Sequence, residues 1–343
     1  MKNFRKGDKL ALSRILSQVE ADTDQGRIAL EELFPLTGHA QKIGITGPPG
    51  SGKSSLVNSL ARHLRKLPHA PRVAVIAVDP TSPFSGGAIL GDRVRMQDLQ
   101  GDPGIFIRSM ATRGALGGLS DATEALSQVF DAAGYDFILI ETVGAGQAEV
   151  DIVNLAHTTI VVDTPGMGDD IQSIKAGILE IADILVVNKA DRPGADQSVR
   201  YLQTMIEMGY KSQTAAAGKH RSHAETEWLP ENSTPLQEAY WIPPVLKTIA
   251  IESQGVEALR DSILEHANYL RRTNQWQVKD RAGLNQTIEK MISQALVDQW
   301  KSSLPKALID EAVEAVVQRK TTPRAAVQKL LAYNNCNKSE SSE

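Results

Sequence analysis

Two kinds of hydrophobic pattern alternate along the chain. Residues 7–35 place Leu10, Leu12, Ile15, Leu16 and Val19, then Ile28, Leu30 and Leu33, at the three- and four-residue spacing of a helix, with polar positions between. From Lys42 the pattern changes to short runs rich in β-branched residues: 42–46 (KIGIT), 73–79 (VAVIAVD), 104–109 (GIFIRS), 137–143 (FILIETV), 158–164 (TTIVVDT), 184–191 (ILVVNKAD) and 245–251 (VLKTIAI). Most are apolar at successive positions instead of at every second one. Strands of that kind, separated by helix-length stretches, predict an α/β fold with a mainly parallel sheet covered by helices on both faces. Such sheets bind ligands beyond the carboxyl ends of their strands, so chemistry is sought at the strand-to-loop junctions.

Helical periodicity returns after Ile263, through 284–300 and 307–317, with a final helical turn in 321–331. Before them lies a polar stretch, 211–235, with little periodicity and several turn formers, which predicts a surface insertion. The expected organisation is a helical arm over 1–40, a sheet domain over 41–270, a helical region over 271–331 and a disordered tail over 332–343. The apolar stripes of the terminal helices fit either packing on their own sheet domain or contact with another chain, and periodicity alone leaves both readings open.

Composition narrows the classes of function. At 343 residues the chain has room for about two domains, or one with arms. With 41% apolar residues and a formal net charge of -4, it has no broad basic field for nucleic acid or an anionic membrane. The one cysteine, Cys336, excludes an intrachain disulfide and a cysteine metal cluster. No apolar run reaches the roughly 18 to 20 residues of a membrane span, and the opening MKNFRKGDKL lacks the apolar core of a secretion signal. A cytoplasmic protein with a local site is expected.

The first apolar run leads into Gly47-Pro48-Pro49-Gly50-Ser51-Gly52-Lys53-Ser54, followed by Ser55 and an amphipathic stretch. This fits GxxxxGK[ST] between a strand and a helix, the arrangement of a phosphate-binding loop. Its glycines let backbone N–H groups turn toward a β-phosphate while the next helix presents its positive end to the same anion. Lys53 is placed to neutralise the β- and γ-phosphates, and the Ser54 hydroxyl to ligate Mg²⁺.

The sixth run ends in Asn188-Lys189-Ala190-Asp191, the NKxD form of a guanine-reading loop. A carboxylate at Asp191 accepts from N1–H and the 2-amino group of guanine, whereas adenine offers neither donor and leaves a buried carboxylate unpaired. GTP is therefore predicted over ATP. Three acids stand where apolar runs end and are candidates for the metal: Asp79, Asp92 and Glu141. Each could instead be a helix cap or loop carboxylate. Glu141 occupies the place of the aspartate in DxxG, Gly144 that of the glycine touching the γ-phosphate, and Gln147 is a candidate for orienting water. The stretch from Asp163 to Lys175 is a charged, Gly-rich loop suited to responding to nucleotide.

Taken together, GITGPPGSGKSS, VDPTSPFSGGAILGDRVRM, ETVGAGQ, TPGMGDDIQSIKAG and VNKAD resemble the MeaB/ArgK-type P-loop GTPases, over about residues 8–331. The resemblance implies a GTPase that assists an adenosylcobalamin-dependent acyl-CoA mutase, above all methylmalonyl-CoA mutase, gating cofactor loading and protecting the enzyme. It implies Asp79, Asp92 and Glu141 around Mg²⁺, a switch loop carrying Asp169, Gln172 and Lys175, and a homodimer formed by the C-terminal helices. Lys53, Glu141, Gln147 and Lys175 form the catalytic set. The fifth guanine motif, usually TSA, departs from the pattern as Thr248-Ile249-Ala250. The backbone contact to the base can survive there, while a small hydroxyl is lost.

Two other readings compete. A nickel-type metal-delivery GTPase needs soft or imidazole ligands, yet only His220 and His223 lie close together. A nucleotide switch with negligible turnover would bind without hydrolysing.

Overall fold

The computed structural model describes residues 8–79, 99, 101–111, 121–142, 148–166, 181–219 and 240–340. These fall into two compact units, Met1–Arg281 and Ala282–Glu343. Among the described residues the first unit holds strands β1 (Gln41–Thr46), β2 (Val73–Asp79), β3 (Ile105–Ala111), β4 (Phe137–Glu141), β5 (Thr158–Asp163), β6 (Ile184–Asn188) and β7 (Val245–Thr248). They form one sheet in the order β3-β2-β4-β1-β5-β6-β7, every neighbouring pair parallel. Each strand corresponds to one of the seven apolar runs, because a parallel strand buried on both faces leaves no alternation in its sequence.

Successive side chains of these strands feed two cores. Val73, Val75, Leu139, Ile160 and Val162 face α3 (Lys53–Arg65), which contributes Leu56, Val57, Leu60 and Leu64. Ala74, Ile76, Val78, Ile138 and Ile140 face the other way, onto α1 (Lys9–Glu20) and α4 (Asp121–Ala132). Thus α1 and α2 (Asp24–Leu33) are a layer of the sheet domain, with Leu12, Ile15, Leu16, Val19 and Leu33 buried in its core. Asp8 caps α1 by accepting from Leu10 N–H at 2.8 Å, and Glu20 at its end pairs with Arg108 on β3. The turn into β1 is set by buried Asp131, whose carboxylate accepts from the N–H groups of Gly38, His39 and Ala40 at 2.7, 3.1 and 3.0 Å.

On that second face α5 (Ala148–Leu155) lies against β1, with Ile152 in the core. After β6, α6 runs Ala195–Lys219. The surface insertion predicted from 211 is thus helical through 219, since Ala215, Ala216 and Ala217 favour helix and no proline intervenes before Pro230. The rest of that stretch, with His220 and His223, lies outside the described residues.

At the amino ends of the strands, α7 (Val256–Arg272) and the first turns of α8 (Gln275–Ser303) meet in a polar and aromatic cluster. The Lys42 N–H donates to His157 Nδ1 at 3.0 Å, which leaves the His157 proton on Nε2, 2.9 Å from Asp280 Oδ1. Trp276 stacks on His157, and Lys279 Nζ donates to the His157 carbonyl and to Asp183 Oδ2, both at 2.9 Å. Burial pushes the His157 imidazolium down against the pull of Asp280, and pushes His266 down to about 4 against that of Asp183.

In the second unit, α9 (Lys306–Val317) packs on α10 (Pro323–Glu340). The division between units falls inside α8, the second unit starting at Ala282, eleven residues past the start placed at 271. The tail expected to be disordered from 332 is helical through Glu340, no glycine or proline following Pro323 to stop propagation. No helix among the described residues is long and apolar enough to cross a membrane.

Candidate functional site

The phosphate-loop sequence leaves β1 at the carboxyl edge of the sheet. Gly47 has φ +138°, and a Cβ there would fall 2.1 Å from the Val162 carbonyl oxygen, so only glycine allows the loop to turn against β5. Gly52, at φ +88°, begins α3 without a side-chain cap; a Cβ would come 2.4 Å from Asn188 Nδ2. With no acidic residue in its first turn, α3 directs N–H groups and the positive end of its dipole into the loop. Lys53 is folded over that loop, Nζ donating to the carbonyls of Gly47 at 2.8 Å and Pro48 at 3.0 Å.

Glu141 ends β4, in register with Ile45 of β1, which brings its side chain to the first turn of α3. Ser54 Oγ donates to Glu141 Oε1 at 2.6 Å, both side chains being buried. A hydroxyl and a carboxylate held this close form a pair of hard oxygen donors at the anion-binding end of the helix. Asp79 ends β2, two residues past Ala77, the partner of Glu141. Asp92, Gly144, Gln147, Asp169, Gln172 and Lys175 lie outside the described residues. Among the described residues no group of three or more His, Cys, Asp or Glu could hold a metal by itself.

Asn188 joins three segments. Its Nδ2 donates to the Ser51 carbonyl at 2.8 Å, while its Oδ1 accepts from Thr248 Oγ1 and Ala250 N–H, both at 3.1 Å. The Ala190 N–H donates to the Thr248 carbonyl at 3.1 Å, and Lys189 Nζ reaches the Gly50 carbonyl at 2.6 Å. The loop of the sixth strand, the Thr248-Ile249-Ala250 segment and the phosphate loop are thereby one hydrogen-bonded assembly. Ile249, standing where serine is usual, forms an antiparallel bridge with Gln254. The Ala250 N–H is engaged by Asn188, and Asp191 is exposed.

In the sequence Asp163 marks only the start of a charged, Gly-rich loop. This last residue of β5 is 3% exposed, and its Oδ1 has no hydrogen-bond partner among the described residues. Burial pushes its carboxyl group up, opposed by a hydrogen bond with the Thr164 backbone. An acid closing an apolar strand was the one available signal, the same one that singled out Glu141.

Residues 12–304 match the family model described as methylmalonyl Co-A mutase-associated GTPase MeaB. A protein of Pyrococcus abyssi named as a GTPase is 42% identical over 331 residues, covering 96% of this chain and 94% of that one. The GTPase ArgK of Escherichia coli is 32% identical over 269 residues, 77% of this chain and 74% of its own. A mitochondrial methylmalonic aciduria type A homolog of Caenorhabditis briggsae is 31% identical over 278 residues, 77% of this chain and 62% of its own. The crystal structure of a LAO/AO transport system kinase shares the fold, with a TM-score of 0.66 over 97% of this chain and 96% of that one at 23% identity. Bearing the P-loop NTPase fold and matched over most of its length, the chain belongs to the MeaB family of GTPases.

Proposed function

We propose that this protein binds and hydrolyses GTP with Mg²⁺ and acts as a chaperone for an adenosylcobalamin-dependent acyl-CoA mutase, methylmalonyl-CoA mutase being the favoured client. The observation that carries the nucleotide half is the Asn188 junction, which ties a guanine-reading loop to the phosphate loop through Ser51 and to the Thr248–Ala250 segment. Support for the client comes from the mutase-associated family and from the relative named for methylmalonic aciduria.

The donor set fits Mg²⁺: Ser54 Oγ and Glu141 Oε1 are hard oxygens held together at the start of α3. Ser54, Glu141, Asp79 and Asp92 would hold the ion, which when bound neutralises phosphate charge. Lys53 exchanges its two loop carbonyls for the β- and γ-phosphate oxygens. The N–H groups opening α3 hold the same anion. Asp191 reads the guanine edge, and the backbone of Thr248, Ile249 and Ala250 shapes the base pocket. Gly144 and the switch residues Asp169, Gln172 and Lys175 would report the γ-phosphate to the client, with Gln147 or Lys175 placing the attacking water.

The C-terminal helices would join two copies. On α8, Leu284, Ile288, Met291, Ile292 and Leu296 are 41–63% exposed at helical spacing, an apolar stripe that a second copy of the same helix can cover.

The test is phosphate release from GTP by the purified protein with and without purified methylmalonyl-CoA mutase, together with adenosylcobalamin retention by the mutase during turnover. Stimulated hydrolysis and GTP-dependent retention are expected. A mutase that alters neither would remove the client from the proposal and leave the GTPase.

A further inference from the structure

We propose that Ser59 and Ser253 are positioning residues for base recognition, their paired hydroxyls pinning the Thr248–Ala250 segment to the helix that begins in the phosphate loop. The inference rests on the reading of this region as a guanine-nucleotide site.

The segment closes on itself just past Ala250. The Ile249 N–H donates to the Gln254 carbonyl at 3.0 Å and the Gln254 N–H to the Ile249 carbonyl at 3.2 Å, with a tight helical turn over Ala250–Glu252 between them. Two left-handed residues make so short a loop possible. At Gly255, with φ +73°, a Cβ would fall 2.1 Å from the Lys247 carbonyl oxygen, so only glycine fits. Ser253 takes φ +59° while carrying a side chain, a conformation that costs energy and persists where contacts hold it. The contact is on the page: Ser253 Oγ lies 2.8 Å from Ser59 Oγ of α3.

That contact gives the base segment a second fixed point. The first is Asn188, which accepts from Thr248 Oγ1 and Ala250 N–H and donates to the Ser51 carbonyl. One point fixes a place and leaves the segment free to pivot about it. Ala250 also shares the core under α3 with Leu56, Leu60 and Val256, but apolar packing has no direction, whereas a hydrogen bond has a set length and angle. Ser59 is buried on the second turn of α3, five residues past Ser54 and about 7.5 Å further along the helix. A single helix therefore offers its first turn to the phosphates and its second to the segment that shapes the base pocket. The spacing between phosphate loop and base pocket is set by that helix.

The test compares dissociation constants for GDP and ADP, both with Mg²⁺, in the parent protein, Ser59→Ala, Ser253→Ala and the double variant. ADP carries the same diphosphate without the guanine edge, so the ratio of the two isolates base recognition. Under the proposal each single variant lowers the preference for GDP by about fivefold, the size of one neutral hydrogen bond. The double variant falls no further than either single one, because each already removes the same contact. Residues serving only the fold would lower the melting temperature and leave the ratio where it was. An unchanged ratio in either single variant, or losses that multiply in the double one, would overturn the proposal. A parent protein that binds GDP and ADP alike would refute the underlying site reading instead.

Discussion

Helices α3 and α8 carry similar apolar spacing and meet different fates. In α3, eight of thirteen residues are buried, against the sheet and against α7. In α8, none of twenty-nine is buried, and its apolar side chains stand exposed at Ile288, Met291 and Ile292. Periodicity therefore reports that a helix has a side to cover, but not what covers it. α3 completes its own core and lends its first turn to the phosphate loop, while α8 presents a stripe that its own unit leaves open.

Substitutions should separate the two helices. Lys53→Ala, at the start of α3, is expected to weaken GTP binding by about a thousandfold, since in the proposed site it removes the cation facing two phosphates. Calorimetric titration checks it, and a melting temperature matching the parent's would show that the fold is intact. Leu60→Ala, on the buried side of α3, should destabilise the protein by about 2–5 kcal/mol in denaturant unfolding, through lost burial and a cavity.

Acid should act where α7 packs at the amino ends of the strands. His266 titrates at about 4 when folded, against 6.5 in an unperturbed chain, so the unfolded state binds the extra proton between those values. Stability is thus complete above about pH 6.5 and falls as the pH drops toward about 4, by up to about 3 kcal/mol from this group. His157, pushed in the same direction by burial, adds to the loss. Unfolding midpoints measured across that range should decline toward acid, and a flat profile would contradict the buried neutral imidazoles. A smaller effect is expected from Ile288→Ala on α8: under about 0.5 kcal/mol for the isolated chain, with dissociation of the proposed dimer seen by sedimentation.

What could be read from the sequence follows the same division. The seven strands were legible because both-sided burial leaves unbroken apolar runs, as in Val73–Val78, and the phosphate loop because its glycines have steric jobs at Gly47 and Gly52. The role of α1 was not legible, since Leu16 reads identically whether it meets its own sheet or another chain. Asp191 announced base recognition but not its own exposure, which depends on how far the loop projects past β6. Asp163 was harder still: the burial that makes it chemically notable comes from neighbouring strands distant in sequence. Residues 211–219 misled because their polar sequence lacks an apolar period, while the backbone continues the helix that starts at Ala195.

Phosphate release from GTP and ATP side by side tests the proposed guanine-reading role of the Asn188 assembly, with xanthosine triphosphate as a third substrate for Asp191→Asn. The parent is expected to hydrolyse GTP over ATP by about a hundredfold or more, and the variant to shift toward xanthosine triphosphate, whose C2 carbonyl can accept from the new amide. Equal turnover of GTP and ATP, or a variant with unchanged preference, would contradict it.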